Sequence, residues 1–322
     1  MTDDEIKIAS DLAQEYGYKK YMIARYLKLW GISETKQLLE SNERQVTPTI
    51  RYNSLRIDRE TFEAQLEKRN IDLEQIDWLP DAYFVKESQV PIGATIEHLL
   101  GWYYIQAIPS IVAAYVLNPS ENDIVFDIAA APGGKTTYLA QLMNNSGLIV
   151  AMDPDRLRLR ALKSNISRCG VRNTIVMRFD GKNLNRLPFV PDKILLDAPC
   201  TGEGLIVKDP SRKTSKTQAD IMYCSTLQKD LLSVALKVLK PGGELVYSTC
   251  SIGPEENEMV IDFVLQSFPE VSIIPMSIKV GEPGIVEPFG VKLRADLINA
   301  RRFYPHKHGT EGFFIIKLKK GE

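Results

Sequence analysis

Six side chains able to do chemistry stand at or just past the ends of short apolar runs. Asp127 follows Ile124-Val125-Phe126, Asp153 follows Leu148–Met152, Asp180 follows Ile175–Phe179, and Asp197 follows Lys193–Leu196. Cys200 comes three residues after Asp197, and Cys250 follows Leu245-Val246-Tyr247-Ser248-Thr249. Such runs read as buried strands of a parallel sheet. In an open parallel sheet the ligand sits in the crevice outside the carboxyl ends of the strands. The spacing therefore gathers four carboxylates and two thiols on one edge. One strand-end Asp is often only a helix cap. Four in series with two cysteines point instead to a bound ligand.

The first strand continues as Ala129-Ala130-Ala131-Pro132-Gly133-Gly134-Lys135-Thr136-Thr137. Small residues and glycines let a ligand approach the backbone, and a helix opening near Lys135 offers it free amide hydrogens. Gly134-Lys135-Thr136 fits the end of a phosphate-binding P-loop, but Ala129 stands where its first glycine belongs, and no Gly-x-Gly-x-x-Gly fingerprint is present. Asp153 at the second strand end can bridge two ribose hydroxyls, and Asp180 at the third would lie near an adenine. An adenosine-bearing cofactor fits this pattern and a pyrophosphate does not. An ATP- or GTP-binding P-loop protein remains the reading of a different class.

The elements that must position these groups form an α/β chain. Residues 3–44 read as two or three short helices, with Ile23, Tyr26, Leu27 and Trp30 as a packing stripe and Gly31 as a stop. Residues 46–105 read as a small α+β, RRM-like unit that binds RNA. Its signals are a strand at Thr49–Asn53, a helix at Arg59–Arg69 and a strand at Tyr83–Val85. From about residue 106 to 322, strands and helices alternate as in a parallel sheet. Helices are expected at Lys135–Asn144 and Arg156–Cys169, and a late strand, Gly312–Leu318, is expected to close one edge. The predicted divisions are 1–45, 46–105 and 106–322.

Composition is that of a globular chain: 322 residues, 44% hydrophobic, 25% charged, net charge −1. No run approaches the roughly 18 apolar residues of a membrane span, and the acidic N-terminus is not a secretory signal; a cytoplasmic monomer without membrane contact is expected. The four cysteines and three histidines lack zinc-ligand spacing, so no metal is predicted. Cys169 and Cys224 fall in helical stretches and read as packing residues. Three basic clusters, Arg156-Leu157-Arg158-Leu159-Arg160, Lys208 to Lys216, and Arg301-Arg302 with His306-Lys307-His308, are candidates for a phosphate-tracking face.

Three motifs in order, Ala129 to Thr136, Asp197-Ala198-Pro199-Cys200 and Tyr247-Ser248-Thr249-Cys250-Ser251, resemble the Nop/Sun family of RNA cytosine-5 methyltransferases. The resemblance covers roughly residues 46–319, and Arg51-Tyr52-Asn53 and His308 to Phe314 resemble its flanking patterns. It implies a class I, Rossmann-like methyltransferase sheet that carries S-adenosylmethionine. By resemblance, 129–135 contacts the methionine end of the cofactor. Asp153 and Arg158 take the ribose side, Asp180 the adenine side, and Asp197 the methyl-transfer pocket. The family often has cysteine where Ala129 stands, and many members carry an additional RNA-binding module not evident here.

The implied chemistry suits these groups. Carbon 5 of cytosine is a weak nucleophile until a thiolate adds at carbon 6 and pushes electron density onto it. On sequence alone Cys200 and Cys250 are nearly equivalent. The resemblance makes Cys250 the nucleophile and gives Cys200 a part in product release. Asp197 is the candidate partner of the ring nitrogen, with Lys135 near the pyrimidine carbonyl. Pro254-Glu255-Glu256 reads as a helix start whose dipole would favour a Cys250 thiolate, with the two acids opposing it. Transfer RNA is the first expected substrate and ribosomal RNA the second; a catalytically inactive RNA scaffold and a DNA substrate are further alternatives.

Overall fold

A computed structural model describes residues 2–322. Two helices open the chain, α1 (Asp3–Tyr16) and α2 (Lys20–Ser41). Thr2 and Glu5 form a reciprocal cap on α1. Gly31, at φ 71° and ψ −176°, breaks α2 where the sequence places a stop. Ile23 and Tyr26 are buried, as the packing stripe requires.

A four-stranded antiparallel sheet follows, built from β1 (Thr49–Tyr52), α3 (Arg59–Lys68), β2 (Ile71–Gln75), β3 (Ala82–Ser88), the single turn α4 (Ile96–Leu99) and β4 (Tyr103–Ile105). Its order, β2-β3-β1-β4, is that of two interleaved βαβ units. The strands β2 and β4 carried no clear sequence signal: one is largely exposed and charged, the other only three residues long. One sheet face, with Ile50, Tyr52, Tyr83 and Tyr103, packs on Phe62 and Leu66 of α3. On the opposite face Ala82 and Phe84 join the core of the next unit.

That unit runs through α5 (Ile108–Leu117), β5 (Ile124–Ile128), α6 (Gly134–Leu142), β6 (Leu148–Asp153), α7 (Arg156–Cys169), β7 (Thr174–Arg178) and β8 (Lys193–Asp197). It continues with the single turn α8 (Arg212–Ser215), α9 (Gln218–Val238), β9 (Glu244–Thr249), α10 (Glu258–Leu265), β10 (Val271–Ile274), β11 (Glu282–Pro283), β12 (Arg301–Phe303), the single turn α11 (Pro305–His308) and β13 (Phe313–Lys320). The nine-stranded sheet has the order β11-β12-β13-β9-β8-β5-β6-β7, with β10 paired to β13. Pairs among β5 to β9 are parallel, while those made by β10 to β13 are antiparallel. The late strand therefore does not close an edge: β13 lies inside the sheet, because β12 and β10 pair with it on the side away from β9.

The chain runs outward from β5 through β6 to β7 and then returns to β8 on the other side of β5. That reversal opens a crevice at the carboxyl ends of β5 and β8. Helices on both faces bury the sheet in two apolar clusters.

Candidate active site

Asp127, the fourth residue of β5, is buried and accepts a hydrogen bond from Thr136 Oγ1 at 2.6 Å. Its other oxygen has no partner, and burial pushes its carboxyl up to about 7. This bond ties the first turn of α6 back to its strand. Across it, Arg51 of β1 reaches Gly134 O (3.2 Å) and Thr137 Oγ1 (2.8 Å) and stacks on the Tyr138 ring. The sheet face that an RRM-like unit would offer to RNA is thus spent holding α6.

The 129–135 loop borders a cavity of about 210 Å³ lined by Asp127, Ala129 to Pro132, Gly134, Lys135 and Asp197, with Tyr104, Ile105 and Gln106 from the neighbouring sheet. Lys135 Nζ donates to Asp197 Oδ2 at 2.8 Å, and Ser248 Oγ donates to Oδ1 at 2.8 Å. The same ammonium lies 5.4 Å from the centre of the Phe313 ring.

Asp153 is fully buried. Its Oδ1 accepts the Asp155 N–H at 2.9 Å, and its Oδ2 accepts no hydrogen bond. Arg158 links it to the loop, with Nη1 3.3 Å from Asp153 Oδ2 and Nη2 donating to Ala131 O at 2.6 Å. Asp180 is exposed, two residues beyond β7, next to Phe179, whose N–H donates to Asp153 O at 3.3 Å. The Asp180 carboxylate caps the turn at Gly181–Arg186 by accepting from Lys182 N–H.

The two thiols meet. Cys200 Sγ and Cys250 Sγ are 2.8 Å apart. Contact with Cys250, and then burial, push the Cys200 thiol well above its usual value. The backbone sets this approach. Gly204 N–H donates to Cys250 O and Gly312 N–H to Gly204 O, each at 2.9 Å. A Cβ on Gly204 would overlap the Gly312 carbonyl, so no larger residue fits.

Buried carboxylates hold the thiol-bearing loops together. Glu256 accepts Thr201 N–H (2.8 Å), Thr201 Oγ1 (2.6 Å) and Ser251 Oγ (2.6 Å), spanning the residues after both cysteines. Burial raises its pKa, and these donors oppose the rise. From α2, Arg25 donates to Glu203 (2.7 Å) and to Glu255 (2.8 and 2.7 Å), and Tyr26 donates to Glu203 (2.9 Å). The first helices also share an apolar cluster with Ile206, Ile252 and Tyr304. Here the sequence reading is corrected. Pro254–Glu256 is one 3-10 turn and α10 begins only at Glu258, so no helix starts beside Cys250, and the two glutamates are loop fasteners.

Two basic clusters are likewise corrected. Arg302 is buried against Glu258, His306 and Lys307 engage Glu34, and His308 accepts the Tyr304 N–H. Lys208 pairs with Glu311, Arg212 with Asp209, and Lys213 with Glu43. These charges hold the fold together. Arg156 and Arg160 remain exposed. Cys169 is packed, and burial pushes the Cys224 thiol up to about 11. Among the described residues no cluster suits a metal, and no helix is long and apolar enough to cross a membrane. A cavity of about 960 Å³ between α3 and β2 is lined by Glu60, Glu63, Glu67, Asp72 and Glu87 against a single cation, Arg59, and has the wrong charge for a polyanion.

A parallel sheet that reverses at β5, with a small-residue loop after β5 and carboxylates ending β6 and β8, defines a class I methyltransferase. Residues 114–319 match the RsmB/F family of 16S rRNA methyltransferases, and 19–107 match the N-terminal domain of 16S rRNA methyltransferase RsmF. The chain belongs to the Nop/Sun family of RNA cytosine-5 methyltransferases. It is 40% identical over 98% of its length to a 28S rRNA (cytosine-C(5))-methyltransferase of Mus musculus, of which it spans 40%. It is 36% identical to a tRNA (cytosine(49)-C(5))-methyltransferase of Pyrococcus abyssi, over 94% of this chain and 96% of that one. A methyltransferase homologue from Pyrococcus horikoshii superposes with TM-score 0.89 at 41% identity, over 99% of this chain and 100% of that one. NSun6 from Pyrococcus horikoshii, solved with SFG, an analogue of S-adenosylmethionine, superposes with TM-score 0.82 at 30% identity, over 92% and 97%.

The cofactor of this fold is S-adenosylmethionine. The residues fit it: buried Asp153 Oδ2, beside Arg158, accepts no hydrogen bond and is available to a ribose hydroxyl, and the 129–135 loop walls a cavity at the crevice. The P-loop alternative falls, since Lys135 is paired to Asp197 and the family is methyltransferase throughout its matched length.

Proposed function

We propose that this chain methylates carbon 5 of a cytosine in RNA, with Cys250 as nucleophile, Cys200 as the release residue and transfer RNA as substrate. The observation that carries the reading is the 2.8 Å approach of the two thiols beside the Lys135–Asp197 pair that lines the cavity. S-adenosylmethionine, when bound, supplies an electrophilic methyl group.

The chain's own groups do the rest. The Cys250 sulfur adds its electron pair to carbon 6 while the ring nitrogen takes a proton passed from the Lys135 ammonium through Asp197, which places electron density on carbon 5. Lys135 orients Asp197 and stands near the pyrimidine carbonyl. After methylation a base takes the carbon 5 proton, the carbon–sulfur bond breaks, and the electron pair returns to sulfur. The Cys200 thiol, 2.8 Å from Cys250 Sγ, is placed to return a proton to the departing thiolate. The target base must leave its stack, since both ring faces are engaged. Residues 46–105 contribute to RNA at the cavity rim, through Tyr104 and Ile105, while their sheet face anchors α6.

The Pyrococcus abyssi relative of matching length is named for transfer RNA, which supports that choice. Ribosomal RNA is the second reading, because the rRNA-named relatives align over nearly the whole chain. Labelled S-adenosylmethionine is offered with separate transfer and ribosomal RNA pools, and nucleosides are read by mass spectrometry. Label in 5-methylcytidine of transfer RNA is expected. Label confined to ribosomal RNA moves the substrate, and label on another atom or on DNA removes the reading.

A further inference from the structure

In the basic cluster on α7, Arg158 pairs with Asp153, while Arg156 and Arg160 make no ion pair among the described residues. Arg156, Arg160 and Lys163 recur every three to four residues, so they lie along one face of the helix. They face the outer strand of the sheet, β7, and with Arg178 at its end they line a groove of about 400 Å³. Leu159 and Val176 complete the lining. No carboxylate lines the groove, and among the described residues none of the four cations takes part in an ion pair. The nearest acid on the helix is Asp155, which caps α7 by accepting the N–H groups of Leu157 and Arg158.

The groove has a defined relation to the site. Arg178 pairs in register with Asp153, so the groove begins at the cofactor edge. It then descends the outer flank of the sheet, away from the strands that carry the thiols. Arg156 to Lys163 covers about 10 Å of helix, longer than one phosphate ion. Guanidinium forks match phosphate oxygens in pairs, and four unneutralised cations in one concavity repel one another until a polyanion enters.

We propose that this groove holds the phosphodiester backbone of the substrate RNA at a point removed from the target cytosine. The proposal rests on the RNA reading above and adds to it. A strand in the groove while a base enters the β5–β8 crevice must wrap the β7 edge, so the enzyme grips a folded RNA body as well as its target nucleotide.

The test uses the full chain as wild type, as Arg160→Glu/Lys163→Glu, and as the charge-neutral Arg160→Gln/Lys163→Gln. Affinity for a folded transfer RNA transcript is measured at several salt concentrations, beside methylation of a short single strand containing the same cytosine. The reversal variant is expected to lose about 10- to 100-fold in affinity for the folded RNA, with a salt slope shallower by about two, and the neutral variant is expected to show the same trend more weakly. Cofactor affinity and short-strand methylation stay at wild-type levels. Unchanged folded-RNA affinity and slope in both variants overturn the groove. So does displacement of the transcript by inorganic phosphate at matched phosphate concentration, which assigns it to free anions. Wild type that methylates no RNA at all removes the underlying reading instead, so the two failures are distinguishable.

Discussion

The cofactor half and the thiol half of the site are built differently. At β5, β6 and β8 a strand-end carboxylate is delivered by its own strand, and neighbours do little more than trim it: Thr136 on Asp127, Arg158 on Asp153, Ser248 and Lys135 on Asp197. At the thiols the strands deliver only Cys250. Cys200 and the loops around both cysteines are held by groups from elsewhere: Glu256 from beyond the sheet, Gly312 from the C-terminal strand's approach, and Arg25 from the first helices. A binding half needs acceptors in place. A reacting half needs two sulfurs at a fixed distance, and this takes long-range buried bonds to set.

The comparison can be broken in descending order of effect. Removing Arg25, whose side chain is 10% exposed, leaves Glu203 buried beside Tyr26 without its cation. Arg25→Met should cost about 3 kcal/mol of stability and lower methyl transfer at least 100-fold while cofactor affinity holds, with partial rescue by Arg25→Lys. Equal loss of cofactor affinity in calorimetry would show that the halves are not separately supported. Asp153→Ala acts on the other half. Cofactor affinity should weaken about 10- to 100-fold, from lost hydrogen bonds to a charged acceptor, while diamide oxidation still cross-links Cys200 and Cys250 at the wild-type rate. Unchanged affinity takes Asp153 out of the site.

A third effect is on pH dependence. With its carboxyl raised to about 7 against an ordinary 3.8, folded Asp127 keeps a proton that the unfolded chain releases. Between those values its contribution to stability therefore falls as pH rises, and it is lost once pH passes 7. The melting-temperature difference between wild type and Asp127→Asn should decline from pH 4 to 7 and then level. A difference that is flat across that range contradicts the assignment.

These contrasts also explain what the sequence could reveal. The apolar runs and their terminal acids announce the parallel strands, since a buried strand and its polar end are local properties. Arg25 lies 230 residues from Glu255; nothing local marks a helical arginine as the fastener of a distant loop. Glu255 and Glu256 looked like first-turn acids because proline and acids favour helix starts, yet burial turned them into partners of Arg25, Thr201 and Ser251. Arg301-Arg302 and His306-Lys307-His308 looked like a surface, because charge in sequence does not disclose whether an opposite charge waits inside. On α7, facing an edge strand without acids, Arg156 and Arg160 kept the exposure their composition suggested.

The proposed division of attack and release between two adjacent thiols is tested most directly by trapping. Cys250→Ala, Cys200→Ala and wild type would be incubated with labelled cofactor and substrate RNA and run on a denaturing gel. The account predicts free methylated RNA from wild type, neither methylation nor adduct from Cys250→Ala, and a trapped protein–RNA adduct from Cys200→Ala. An adduct formed by Cys250→Ala, with none from Cys200→Ala, would reverse the roles and contradict the account.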